Sequence, residues 1–115
     1  MKKYLFLDDE RSPKDVTWVK IDRSATWHIV RSYEEARKWV LQNGFPDIIS
    51  FDHDLGNGPT GYDFAKWLVE YDMNTDSMPG DFTFTVHSMN PVGADNIKRY
   101  LNNYLRLVKT PKADK

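Results

Sequence analysis

The sequence predicts a single α/β domain built on a parallel sheet. Short apolar runs that suit buried strands alternate with longer segments that carry apolar residues at helical spacing. Such alternation is typical of parallel strands joined by right-handed helical crossovers. The 115 residues, 40% of them hydrophobic and 29% charged, suit one domain with a single core. We expect that domain to span residues 1–115, with 110–115 as a flexible tail.

Four short runs are the candidate strands. The first three are short, mostly apolar runs, and in the fourth phenylalanine and valine alternate with threonine. In chain order they are Tyr4–Leu7, Trp27–Val30, Ile48–Phe51 and the segment 82–86.

Three helices are predicted from their capping residues. Ser32 and Thr60 are each followed by an acidic residue three positions on, and Asn90 is followed by a proline. Asn43-Gly44 should end the first of these helices. The last helix should run unbroken past Tyr104, because apolar residues keep helical spacing to Val108.

Ahead of these helices, Ser12-Pro13 also suits a helix start. The residues after it are too few and too polar for more than a turn or two of helix.

Composition excludes several classes of function. There is no cysteine, so no disulfide framework and no thiolate zinc site can form. No apolar run approaches the length of a membrane span, and the start of the chain is too acidic for a signal peptide, so we expect a cytoplasmic location. The formal net charge of −1 argues against strong binding to duplex nucleic acid.

Polar residues follow three of the predicted strands directly. These are Asp8-Asp9 after the first strand, Asp52-His53-Asp54 after the third and His87-Ser88 after the fourth. Ligands of open parallel sheets bind beyond the carboxyl ends of the strands. The sequence therefore predicts a functional site at this edge.

These residues resemble the response-regulator receiver domain. The acidic pair matches the pair after the first receiver strand, Asp52 matches the phosphoacceptor aspartate, and Ser88 matches the Ser/Thr after the fourth strand. The segments LFLDDERSP, FDHDLG, TGYDFAKWL and VHSMNPVGADNI are more similar to one divergent branch, the cyclic-phosphate-processing receivers of bacteria and phages. The resemblance extends to about Leu105, and a phage-encoded chain of this kind would act in the host cytoplasm.

The resemblance implies a fold and a metal site. We expect a receiver-like, flavodoxin-like sheet of four strands in order 2-1-3-4 with a degenerate first helix. In receivers the acidic pair and the phosphoacceptor hold Mg²⁺, here Asp8, Asp9 and Asp52, with a backbone carbonyl that would be that of Asp54. Mg²⁺ or Mn²⁺ would suit this set of hard oxygen ligands, although a carboxylate at Asp54 also suits a turn.

The family is thought to act on cyclic phosphate ends of RNA, so the partner would be a nucleotide or an RNA end. Two imidazoles beside one phosphate could supply both proton transfers of cyclic phosphodiester hydrolysis. We therefore expect His53, His87 and Asp52 to be catalytic. His87 should face the phosphate from the side opposite Asp8 and Asp9.

A phosphate cradle is expected around two helix starts. Each predicted member could donate a hydrogen bond to a phosphate, either from a backbone N–H at a helix start or from a hydroxyl, amide or guanidinium group. These residues are Ser88, Asn90, Gly93, Thr60 and Arg11. Arg11 suits a solvated loop equally well. Trp18 follows the acidic pair and is the tryptophan we place nearest a ligand.

Two other functions remain open. The same site could capture a nucleotide without cutting it, as a phage counter-defence would require. A degenerate receiver could instead signal through protein contacts. The lysine of the receiver's fifth strand has no clear equivalent, because Lys109 follows a predicted helix, and this weakens the signalling alternative.

Overall fold

Four parallel strands form one sheet in the computed structural model, which describes residues 2–109. The strands are β1 (Tyr4–Leu7), β2 (Trp27–Val30), β3 (Ile48–Phe51) and β4 (Thr83–Val86). Their spatial order is β2-β1-β3-β4, with β1 and β3 at the centre. The predicted receiver-like sheet of order 2-1-3-4 is confirmed.

Three helices follow β2, β3 and β4: α1 (Tyr33–Asn43), α2 (Gly61–Thr75) and α3 (Pro91–Lys109). Ser32 Oγ accepts the Glu35 N–H at the start of α1, and Thr60 and Asp63 cap each other at the start of α2. Between β1 and β2 there is only a 3₁₀ turn, Pro13–Asp15, so the first helix of the fold is degenerate as expected.

The third helix, α3, is continuous and replaces any fifth strand within residues 2–109. The Tyr104 hydroxyl on α3 donates to the buried Asp72 carboxylate of α2 at 2.6 Å, and Asp72 also accepts the Met78 N–H. These bonds hold α3 and the loop before β4 against α2. The tail predicted at 110–115 lies outside the described residues.

The two faces of the sheet are covered differently. The main core joins Leu5, Ile49 and Phe51 of the sheet to buried residues of all three helices. Phe6, on the other face, packs with Val16 and Ile21 of the loop between β1 and β2. That loop takes the place of the degenerate helix.

Strand β4 matches this asymmetry. Phe84 and Val86 face the helical core, whereas Thr83 is exposed and Thr85 is half-buried on the loop side. The residue after the strand, His87, shares the side of Thr85 because strand side chains alternate. Among residues 2–109, no helix is both long enough and apolar enough to cross a membrane.

Candidate functional site

Three carboxylates converge at the carboxyl ends of β1 and β3. Asp8, Asp9 and Asp52 each offer an oxygen, and these oxygens lie within 4.8 Å of one another. The sheet ladder fixes their backbone, because the Asp8 N–H donates to Val30 O at 3.1 Å and the Asp52 N–H donates to Leu7 O at 2.9 Å. The strand ends therefore bring together the three acidic residues that the sequence selected.

Asp8 is buried and fully hydrogen-bonded. Its Oδ1 accepts the backbone N–H groups of Glu10 and Arg11, both at 2.8 Å. Its Oδ2 accepts from His87 Nε2 at 2.9 Å and from Arg11 Nη1 at 3.3 Å. Burial alone would raise the pKa of Asp8, but the bonds from His87 and the two N–H groups lower it to about 2.

A line of buried hydrogen bonds runs beneath Asp8 across three strands. Thr85 Oγ1 donates to Ser50 Oγ at 2.9 Å, and Ser50 Oγ lies 2.7 Å from His87 Nδ1. An ionised carboxylate only accepts, so the proton between His87 and Asp8 belongs to Nε2. In a neutral imidazole Nδ1 then accepts from Ser50, whose own oxygen accepts from Thr85. One direction of donation satisfies the whole line.

His87 lies below the carboxylates, with no solvent exposure. Its ring stacks on Phe6 with centroids 4.5 Å apart and planes 7° apart. The prediction that His87 faces a phosphate from the side opposite Asp8 and Asp9 is wrong, because its Nε2 bonds Asp8 directly. A side chain with both ring nitrogens engaged and no exposure positions Asp8 and has no path to a ligand.

Asp52 and Asp9 complete the cluster. Asp52 is buried and accepts the His53 N–H at 2.8 Å, and burial together with the negative charge of Asp8 raises its pKa. Asp9 is half-buried, and its carboxylate has no hydrogen-bond partner within residues 2–109. Two close buried carboxylates with an open third oxygen donor fit a hard divalent cation.

His53 and Asp54 form a second group beside the first. His53 Nδ1 lies 3.0 Å from Asp54 Oδ1, and Asn90 Nδ2 donates to Asp54 Oδ2 at 3.3 Å. The His53 ring packs against Gly93, where a Cβ atom would overlap it. The Asp54 carboxylate is thus engaged by His53 and Asn90, and it lies outside the cluster of three oxygens.

At the starts of α2 and α3, several backbone N–H groups already donate to acceptors within the protein. The Thr60 N–H donates to Asp63, and the Gly61 N–H donates to the backbone oxygen of His53 at 2.8 Å. The Gly93 N–H donates to Asn90 Oδ1 at 3.0 Å. Thr60 and Gly93 therefore serve as a cap and as packing space, which argues against the phosphate-binding roles predicted for them.

Ser88 sits at the same helix start, where its hydroxyl accepts the Asn90 N–H at 3.1 Å. It is half-buried at the end of β4. A hydroxyl that accepts one bond still has its own proton to donate, so Ser88 can contribute to anion binding.

An open cleft of about 510 Å³ lies above the carboxylates. It is lined by Asp9, Glu10, Arg11, Asp52, Asp54, Gly56, Met89, Asn90 and Pro91. The cleft is mostly polar and acidic, with one guanidinium. Of the residues predicted to bind phosphate, Arg11 and Asn90 line it, and they can present donors to an anion.

Arg11 connects the cleft to Trp18. Its guanidinium carbon lies 5.2 Å from the Trp18 ring centroid while Nη1 contacts Asp8. The Trp18 Nε1–H donates to the backbone oxygen of His87 at 2.9 Å. Sequence reasoning placed Trp18 near the site but missed Ser50 and Thr85, whose signal was a hydroxyl inside an otherwise apolar or alternating strand.

Comparison with known proteins identifies one family. A family model described as the cyclic-phosphate processing receiver domain matches residues 3–103, which confirms the resemblance drawn from the sequence. No curated protein and no solved structure matches the chain.

Neutralising Asp8 and neutralising Asp52 should change the free energy of unfolding in opposite directions. At pH 7 without divalent ions, Asp8→Asn should lower the free energy of unfolding by roughly 2–3 kcal/mol, because it loses the stability linked to the low pKa of Asp8. Asp52→Asn should raise it, because ionising Asp52 costs stability in the fold. Urea unfolding measures both, with the exposed Asp95→Asn as a control.

The pH dependence follows from the same signs. The stability that Asp8 contributes is present above its unfolded pKa of 3.8 and is lost as pH falls towards 2. The stability gained by Asp52→Asn should shrink as pH falls through the raised pKa of Asp52, where the wild-type residue takes up a proton. Variants that both destabilise at neutral pH would contradict this assignment.

The fold should require glycine at position 93 only because the His53 ring packs against it. Gly93→Ala should destabilise the wild type, since the new methyl group would overlap the imidazole. In a His53→Ala background the same change should be neutral or stabilising by up to about 1 kcal/mol, because alanine favours a helix. Gly80→Ala is the control, with no atom within 4 Å of its Cβ. Equal effects of Gly93→Ala in both backgrounds would refute the packing argument.

Proposed function

The chain belongs to the cyclic-phosphate processing receiver domain family, and on this premise we propose that it is a metal-dependent phosphoesterase. Its substrate would be a cyclic phosphate on a nucleotide or an RNA end. The observation that carries the proposal is the convergence of Asp8, Asp9 and Asp52 under an open cleft that also presents Arg11.

Asp9 and Asp52 would hold Mg²⁺ or Mn²⁺ most directly. The four hydrogen bonds of Asp8 occupy both of its oxygens, so Asp8 contributes its charge unless Arg11 moves away. The bond from Arg11 is the longest of the four, which makes it the easiest to exchange. A bound ion would supply positive charge and Lewis acidity towards a phosphoryl oxygen.

Arg11 and Asn90 would bind the phosphate. The Arg11 side chain is one-third exposed and lines the cleft, so its guanidinium can turn from Asp8 to a phosphate and donate two parallel hydrogen bonds. The Asn90 amide and the Ser88 hydroxyl would bind further oxygens from the start of α3. These three residues keep the roles that the sequence predicted for them.

His53 is the histidine we assign to proton transfer. Opening a cyclic phosphate adds one water across a phosphorus–oxygen bond: the water oxygen bonds to phosphorus and gives up a proton, the bond from phosphorus to one ribose oxygen breaks, and that oxygen takes up a proton. His53 is partly exposed, and Asp54 at the cleft wall orients its ring through Nδ1. His87, being buried, acts by holding Asp8.

Metal binding and turnover test the proposal together. The wild type should bind Mn²⁺ in isothermal titration and hydrolyse at least one substrate from a panel of 2′,3′-cyclic nucleotides, 3′,5′-cyclic nucleotides and RNA ending in a cyclic phosphate. Asp9→Asn should abolish Mn²⁺ binding, because it removes the carboxylate that has an open oxygen. Asp95→Asn, an exposed carboxylate on α3, is the matched control.

His53→Ala should lower turnover by roughly 10²–10⁴-fold and leave Mn²⁺ binding intact, since a general acid acts mainly in the transition state. A wild type that binds these nucleotides with Mn²⁺ but never cleaves them would contradict the enzyme and support a sequestering module. Stable phosphorylation of Asp52 by a small phosphodonor would favour a signalling receiver instead.

A further inference from the structure

Trp18 is an exposed aromatic side chain that is nevertheless fixed in orientation. It is 43% exposed, yet its Nε1–H donates to the backbone oxygen of His87, 69 residues away in the chain. Val16 and Ile21, on either side of it in the loop, are buried against Phe6. The loop is therefore anchored on both sides of Trp18 while much of the indole remains open to solvent.

The position of Trp18 relates it to the cleft. Arg11 lies over its ring and reaches the carboxylate cluster from there. Met89, which is 65% exposed, lines the cleft only two residues after the carbonyl that Trp18 binds. Exposed apolar surface thus borders a cleft that is otherwise polar and acidic.

We infer that Trp18 is a stacking platform for the nucleobase of a ligand whose phosphate binds at Arg11. An aromatic ring of fixed orientation binds a base with little loss of side-chain freedom, and stacking accepts any base. Arg11 would contact the phosphate while remaining next to the ring. This inference rests on the proposed function and narrows it, because it requires a substrate that carries a base rather than a base-free sugar phosphate.

The test compares two substrates that differ only in the base. Adenosine 2′,3′-cyclic phosphate and methyl riboside 2′,3′-cyclic phosphate are assayed with Mn²⁺. The wild type should prefer the nucleotide in kcat/KM by roughly 5- to 150-fold, the range that stacking on one aromatic side chain supplies. Trp18→Ala should reduce this ratio to about one, and Trp18→Phe should keep part of it.

Trp27→Phe is the matched control. The Trp27 indole also donates to a backbone carbonyl, that of Asp22, but it lies at the opposite end of the sheet. Trp27→Phe should leave the ratio of kcat/KM between the two substrates unchanged. A preference for the nucleotide that survives Trp18→Ala would overturn the inference.

Failure of this inference is distinguishable from failure of the proposed function. Equal kcat/KM for both substrates in the wild type would overturn stacking and leave the phosphoesterase standing. If neither substrate is cleaved, equilibrium binding of adenosine 3′-phosphate and methyl riboside 3-phosphate decides. Stronger binding of the nucleotide, lost in Trp18→Ala, supports the platform, and equal binding overturns it.

Discussion

The hydrogen bond between the buried His87 imidazole and the Asp8 carboxylate is the contact on which the candidate site depends. It joins the end of β4 to the end of β1, across the intervening β3. A buried carboxylate is costly unless hydrogen bonds compensate it, and His87 provides the only such bond to Asp8 from another strand within residues 2–109. Ser50 and Thr85 in turn fix the imidazole. Asp8 is thereby held ionised in one orientation.

An ionised Asp8 sets the electrostatics of its neighbours. Its charge contributes to the raised pKa of Asp52. A cation between the two carboxylates would therefore offset their mutual repulsion. Arg11 provides part of the positive charge that Asp8 and Asp52 favour. It does so from the cleft, where a phosphate could also contact its guanidinium. Residues that bind ligands are often arranged at some cost to stability, and Asp52, as a proposed metal ligand, fits that pattern, whereas Asp8 does not.

Much of the fold could be predicted from the sequence because its signals are local. Capping at Ser32 and Thr60 and the unbroken spacing along α3 depend on neighbours in the chain, and the resemblance to receivers supplied the strand order. The acidic cluster was predictable because parallel strands end at one edge. The role of His87 was not, because it depends on Ser50 and Phe6, residues of other strands that meet it only in the folded sheet. The caps at Thr60 and Asn90 were predicted, but not their consequence for the phosphate cradle: Asp63 and Asn90 occupy the N–H groups of Thr60 and Gly93.

The site depends most directly on a His87 ring that carries a proton on Nε2 and donates it in a hydrogen bond to the Asp8 carboxylate. Nitrogen NMR of ¹⁵N-labelled protein reports which ring nitrogen carries the proton, and His87→Gln assigns the signals among the three histidines. We expect a proton on Nε2, with the Nδ1 signal shifted in Ser50→Ala because its hydrogen-bond partner is lost. A His87 ring protonated at Nδ1 and bare at Nε2 would contradict the account, because it could not donate to Asp8.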